Sequence, residues 1–137
     1  MLVESLAFNS TLKILHLSGN AITSAGFQFL AKALRTNSAL SSLYLTGNSG
    51  NSTGVAAIAN ALLVNTSLEV LYLNGNNIKE DGASHISEML KANASLTHLS
   101  LVNKRYLLNI PHKLLTSFTR LGTLYFYFPH FILTADF

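Results

Sequence analysis

The chain has 137 residues, a length that suits one domain, and a formal net charge of +3 at pH 7. It contains no cysteine, which excludes a disulfide framework, a thiolate metal site and a cysteine nucleophile, and which fits a reducing compartment. Charged residues make up 11% of the chain, against roughly 25% in an ordinary soluble domain, so we expect it to be a piece of a larger protein.

The first predicted element is the end of a helix at residues 1–8. Leu2 and Leu6 stand 28 residues before Leu30 and Leu34, so they occupy the helix positions of a preceding repeat. We therefore expect the natural repeat array to begin upstream of Met1.

An internal repeat of 28 residues follows, with the phrase N-x-x-L-x-x-L-x-L-x-x-N. It begins at Asn9, Asn37 and Asn65, and a fourth copy that begins at Asn93 has Lys104 in place of the last asparagine. A period of this length is typical of a solenoid, in which each unit buries its apolar face against its neighbours. The sequence thus predicts a solenoid over residues 1–103, with a partial repeat 1–8, repeats 9–36, 37–64 and 65–92, and a fourth strand segment 93–103.

Each repeat is predicted to contain a strand and then a helix. In the first repeat, Leu15 and Leu17 should face inward, whereas Ile14, His16 and Ser18 should face outward. The period then changes to helical spacing, so a helix should pack behind each strand. The residues expected to cap these helices are Ser24, Ser52 and Asp81.

The complete unit reads L-x-x-L-x-L-x-x-N-x-I followed by G-x-x-x-L-x-x-A-L, and three copies match from Asn9 to Ala92. This pattern resembles the leucine-rich repeats of the ribonuclease inhibitor-like subfamily, and the units are similar to those of NOD-like receptors and of the Ran GTPase-activating protein. The resemblance covers about residues 2–103. It implies an α/β fold, a leucine-rich-repeat solenoid shaped as a horseshoe arc, with a parallel β-sheet on the concave face and α-helices on the convex face.

The period fails in residues 104–137, for which two interpretations stay open. Leu121, Leu124 and Phe126 keep the leucine spacing 25 residues after the fourth repeat, and residues 112–120 could form a short helix, which would make a degenerate last repeat. Otherwise the segment is a poorly ordered aromatic tail. A membrane span is not expected, because residues 121–133 are too few and include Pro129.

Two sets of asparagines are interpreted as structural. The resemblance implies that the interior column bonds to neighbouring backbone groups as a ladder; its members are Asn20, Asn48 and Asn76. The second set lies in N-x-S/T sequences, which would be glycosylation acceptors in a secreted protein. The four such sequences begin at Asn9, Asn51, Asn65 and Asn93, and three of them recur at the helix-to-strand turn, so we interpret them as turns.

The candidate binding residues are outward side chains of the sheet. Three columns are predicted: Ile14, Ser42, Val70, His98; then His16, Tyr44, Tyr72, Ser100; then Ser18, Thr46, Asn74, Val102. Neighbouring strands lie about 4.8 Å apart, so Tyr44 and Tyr72 should stand side by side. They either bind a partner or pack on each other. The predicted partner-binding set is His16, Tyr44, Tyr72, Asn74 and His98.

Enzyme activity is not predicted. His16 and His98 should lie about 15 Å apart on the sheet, which excludes a direct metal pair. No catalytic, cofactor-binding or metal-binding residue is therefore proposed, and no cofactor is expected. The excess positive charge lies in residues 104–137 and does not recur on one face of the repeats, so no nucleic acid is expected.

The sequence thus favours a non-catalytic leucine-rich-repeat module that binds a protein or peptide through the concave sheet. Residues 1–8 have Glu4 and no basic start, so we expect a cytoplasmic location. One alternative is a GTPase-activating regulator like the Ran GTPase-activating protein. Another is a truncated gene fragment without autonomous function.

Overall fold

The computed structural model describes the backbone of residues 2–101, 123–128 and 131–134, and the side chains of residues 4–101. The element order starts with a helix and then alternates strands and helices. The bounds are α1 Leu2–Phe8, β1 Ile14–His16, α2 Ser24–Leu34, β2 Ser42–Tyr44, α3 Asn51–Leu62, β3 Val70–Tyr72, α4 Glu80–Ala92, β4 His98–Ser100, β5 Thr123–Phe128 and β6 Phe131–Thr134.

The strands form one sheet in chain order, because each repeat returns the chain beside the strand it has just left. Strands β1 to β5 are parallel, and β6 pairs antiparallel with β5. The register pairs Leu15 with Leu43, Leu43 with Leu71, and Leu71 with Leu99. This is the predicted repeat register, and the predicted α/β leucine-rich-repeat fold is confirmed.

The core lies between the sheet and the layer of helices. Leu43, Leu71 and Leu99 are at most 1% exposed, as are the helix residues Ile58 and Leu62. Each leucine faces the helices because side chains alternate along a strand. Adjacent helices pack closely since small residues such as Ala33 and Ala61, both 1% exposed, lie between them.

The predicted helix caps were wrong. The N-cap positions are Thr23, Gly50 and Lys79, and none of their side chains caps the helix. Ser52 lies inside α3, and its hydroxyl accepts the N–H of Lys79 from the next repeat at 3.0 Å. Asp81 lies inside α4, where its Oδ1 accepts the N–H of the adjacent Gly82. The Ser52 hydroxyl therefore joins neighbouring repeats, and it is Asn51 Oδ1 that accepts the amides of Thr53 and Gly54 in the first turn of α3.

The second half of the tail contributes two strands. β5 pairs with β4 so that Leu124 lies beside Leu99, the 25-residue offset on which the degenerate-repeat interpretation is based. Residues 102–122 lie outside the described part of the chain, together with the predicted helix 112–120 and Val102. Among the helices that are described, none is both long and apolar enough to cross a membrane.

Candidate binding face

The outward side chains of β1 to β4 and of the residue that follows each strand define the concave face. The register aligns His16, Tyr44, Tyr72 and Ser100 in one column. It aligns Ile14, Ser42, Val70 and His98 in the neighbouring column. His16 and His98 therefore lie in different columns, three strands apart, as expected.

Three rings stack along the middle of the concave face. The ring centroids of His16 and Tyr44 are 4.2 Å apart at an interplanar angle of 17°, and those of Tyr44 and Tyr72 are 4.9 Å apart at 27°. These separations follow the strand spacing of about 4.8 Å, so the sheet itself sets the stack. Both tyrosines are half-buried and His16 is exposed. The tyrosines pack on each other and remain partly exposed.

Asn74 and Ser100 form a polar pair at the end of this column. The Ser100 hydroxyl donates to Asn74 Oδ1 at 2.8 Å. Ser100 is 3% exposed although its position in the strand alternation predicts an outward residue. Ser100 keeps its place in the outward column, but its hydroxyl is covered and bonded to Asn74. Asn74 itself is half-buried.

His98 sits apart from the ring stack. It is half-buried, and its Nδ1 lies 2.8 Å from the hydroxyl of the adjacent Thr97. Among the described residues, no group of three or more His, Cys, Asp or Glu side chains could hold a metal ion. The described positions of the three outward columns include no Asp, Glu, Lys or Arg. Apart from the imidazoles of His16 and His98, the described side chains of the concave face therefore carry only apolar, hydroxyl and amide groups.

The interior asparagines join each repeat to the one before it. Asn48 Nδ2 donates to the carbonyls of Leu17 and Leu45, both at 2.9 Å, and its Oδ1 accepts the amides of Asn20 and Ile22, both at 3.0 Å. Asn76 repeats this pattern one unit later, donating to Leu45 O at 2.8 Å. Asn20 differs, because it is exposed and its Nδ2 donates to Ser18 O of its own repeat.

A second buried column of asparagines lies at the helix-to-strand turns, where the sequence suggested only a turn. Asn65 Nδ2 donates to Leu34 O at 2.8 Å and Asn37 O at 3.0 Å, and its Oδ1 accepts two amides of its own turn. Asn37 and Asn93 make the equivalent bonds. The recurrence of asparagine every 28 residues was the available signal. Its buried partners in the preceding repeat were not visible in the pattern.

One acidic group at a helix start has a displaced pKa. The hydrogen bond from the Ser52 hydroxyl, followed by that from the Gly82 N–H, lowers the pKa of Asp81 below its ordinary value of 3.8, and the charge of Lys79 acts in the same direction. Desolvation opposes this shift. Asp81 lies in the first turn of α4, in the helical layer and not on the concave face.

Comparisons with known proteins agree with this architecture. A family model described as a leucine-rich repeat matches residues 8–31 and 64–87. No curated protein sequence matches the chain. The chain therefore contains leucine-rich repeats, whereas the ribonuclease inhibitor-like subfamily stays a prediction.

Two of the solved structures that are similar to this chain match it over most of its length. One is described as leiomodin-1 actin-binding site 2; it is 27% identical with a TM-score of 0.75, over 86% of this chain and 68% of that one. The other is the tropomodulin C-terminal domain of Caenorhabditis elegans, 12% identical with a TM-score of 0.58, over 86% of this chain and 89% of that one. At 12% identity the second likeness concerns the fold alone.

Proposed function

We propose that the chain is a non-catalytic protein-binding module whose concave face contacts its partner. The observation that supports this most is the stack of His16, Tyr44 and Tyr72 on an uncharged part of the sheet. Tyrosine offers a large contact area at low entropic cost and is frequent among the residues that dominate binding energy. Asn74, which follows β3, and His98, which lies in the neighbouring column on β4, add hydrogen-bonding groups to the same face.

We propose actin as the partner to test first. The support is the likeness to leiomodin-1 actin-binding site 2, at 27% identity over 86% of this chain. Such a module would use a broad surface with few charges, which suits a protein better than a phosphate or a small metabolite. The cytoplasmic location remains a prediction from the sequence.

The test is a titration of the fluorescently labelled chain with monomeric actin. We expect saturable binding that becomes at least about tenfold weaker when Tyr44→Ser and Tyr72→Ser are combined, because each ring contributes on the scale of an interface hot spot. The control is Phe29→Ser, which removes an exposed aromatic ring from α2, in the helical layer of the molecule.

The outcomes separate the site from the partner. Equal actin affinity in the wild type and in the double tyrosine variant would show that the concave face is the wrong site. Absence of actin binding in the wild type would exclude actin. Circular dichroism of each variant checks that the fold is retained, so that a loss of binding reports on the surface.

A further inference from the structure

The C-terminal ends of α2, α3 and α4 lie side by side along one edge of the helical layer. Helices α2 and α4 pack on either side of α3. The 28-residue period places Arg35, Leu63 and Lys91 in one column at these ends, and all three are exposed. Arg35 is the C-cap residue of α2, Leu63 is that of α3, and Lys91 lies in the last turn of α4. An exposed apolar side chain therefore stands between two cations.

Leu63 departs from the residue type that a helix end favours. Cations near a helix C-terminus stabilise it through the helix dipole, and Arg35 and Lys91 follow this preference. Helix α3 has no basic residue in its last turn, and Leu63 and Val64 are instead 47% and 52% exposed. These two residues lie in an internal repeat that has a neighbour on each side. The stability of α3 therefore does not explain why they are apolar.

A groove beside Leu63 could receive an apolar side chain. It has a volume of about 390 Å³ and lies between the turn at residues 62–66 and the turn at residues 92–95. Its lining residues with exposed side chains are Leu63, Thr66, Ala92 and Ala94. The asparagines that also line it have their amides engaged in the junctions between repeats, as where Asn93 Nδ2 donates to Leu62 O at 2.7 Å. The groove therefore offers mainly apolar contact.

The charges along this edge are mainly positive. The described side chains include five Lys and Arg residues and five Asp and Glu residues. Three of the cations, Lys32, Arg35 and Lys91, lie in the last turn or at the C-cap of a helix. One of the carboxylates, Glu88, lies near them, with its Oε1 2.6 Å from Lys91 Nζ. The edge thus has an excess of positive charge in a part of the chain whose charges balance overall.

We propose that this edge binds an acidic segment of a partner protein, with one apolar side chain of that segment in the groove beside Leu63. Carboxylates on either side of that side chain would lie near Arg35 and Lys91, so the partner complements the surface in charge and in polarity. An anionic membrane fits less well, because membrane binding uses apolar residues that project into lipid and not a groove. The surface is separate from the concave face and does not depend on actin.

The probe is a synthetic peptide with blocked ends, in which one leucine is flanked on each side by three glutamates. Its titration into the isotope-labelled chain, followed by NMR, should produce saturable shifts of the backbone amides of Leu63, Thr66 and Ala94 at the groove. A control peptide with serine in place of the leucine should bind more weakly. A second control with glutamines in place of the glutamates should lose the weakening by salt that the first peptide shows.

Leu63→Lys and Phe29→Lys form a matched pair of variants. Each adds one positive charge to the helical layer and removes an apolar side chain of similar exposure, 47% at Leu63 and 48% at Phe29. Leu63→Lys should weaken binding of the leucine peptide by about fivefold or more, because apolar contact is lost. Phe29→Lys should leave the affinity unchanged or raise it slightly. A surface that attracted the peptide by charge alone would bind it more tightly in both variants.

Three results would overturn the proposal: no saturable shifts at the groove, unchanged or tighter binding by Leu63→Lys, and equal affinity for the leucine and serine peptides. Vesicles of phosphatidylserine and phosphatidylcholine that bind through Leu63 when the peptide does not would identify a membrane contact instead. The variant with Tyr44→Ser and Tyr72→Ser should bind the peptide like the wild type, whatever it does to actin. Circular dichroism of each variant checks that the fold is retained.

Discussion

The ring of Phe27 in α2 fills the space above Gly50 in the next repeat. A Cβ atom on Gly50 would overlap this ring, and one on Gly54 would lie 2.8 Å from Phe27 Cβ. At the positions equivalent to Gly50, the other repeats have Ile22 and Ile78. The second repeat thus has a glycine where the other repeats have isoleucine. The ring of Phe27 from α2 fills the space that the isoleucine side chain would take.

This exchange predicts strong coupling between the two positions. Gly50→Ile should destabilise the protein by about 1–3 kcal/mol, because the added side chain overpacks a filled space. Phe27→Val introduces the residue found at the equivalent Val55 and should also destabilise, because it leaves a cavity. The double variant should lose less than the sum of the two. The measurement is the free energy of urea-induced unfolding for all four proteins.

The size of that coupling decides whether the explanation is correct. We expect an interaction free energy of about 0.5–3 kcal/mol, the range for side chains in direct contact. Additive losses would mean that the ring and the new side chain do not compete for one space. Phe29→Ser provides a comparison on the same helix, at a ring that is 48% exposed.

In the interior asparagine column, the same substitution to alanine should change the free energy of unfolding by different amounts at Asn48 and at Asn20. Asn48→Ala should cost at least about 2 kcal/mol of unfolding free energy, because it leaves buried carbonyls and amides of two repeats without partners. Asn20→Ala should change it by no more than about 0.5 kcal/mol, as for an ordinary surface site. Urea unfolding at pH 7 measures both. Similar losses at the two positions would contradict the role assigned to the buried bonds.

The Ser52–Asp81 contact predicts a pH-dependent contribution to stability. Because folding lowers the pKa of Asp81 below 3.8, its ionised form stabilises the fold above that pH, and the stabilisation disappears as pH falls through the folded pKa. Asp81→Asn should therefore be less stable than the wild type at pH 7, and the two should converge in acid. Urea unfolding between pH 7 and pH 2 tests this.

Glu80→Gln is the matched control for that series, because it removes the same charge from the same first turn of α4. It should not reproduce the difference, because the hydrogen bond from Ser52 contributes most to the lowered pKa of Asp81. If both variants follow the same pH dependence, the effect belongs to the helix dipole and not to the Ser52 hydroxyl.

The repeat period predicted the fold because it is a property of many positions at once. It identified the inward leucines and the column that contains Tyr44 and Tyr72, and the register of β1 to β4 agrees with both. Strands β1 to β4 are parallel because each repeat brings the chain back to the same end of the sheet before the next strand begins. The partner-binding role of these side chains stays a prediction, since a register places side chains without showing what they bind.

The contacts between repeats could not be predicted from the same pattern. A periodic asparagine shows that a position is constrained, but not that Asn65 reaches Leu34 O across 31 residues. Local capping preferences suggested Ser52 as a helix cap, whereas the neighbouring repeat provides a competing donor in Lys79. The Phe27 and Gly50 exchange was likewise hidden, because neither residue matches its repeat consensus and each explains the other only in space.

The two asparagine columns also bear on how such a chain can change length. Their amides donate to main-chain carbonyls, a group that every residue has, so a repeat does not need particular side chains in its neighbour to be joined to it. Gene duplication or deletion of a whole 28-residue unit would therefore preserve these junctions. The pair Phe27 and Gly50 is different, because this contact between the first and second complete repeats depends on particular residues in both. Placing another repeat between them would separate the ring from the glycine that makes room for it.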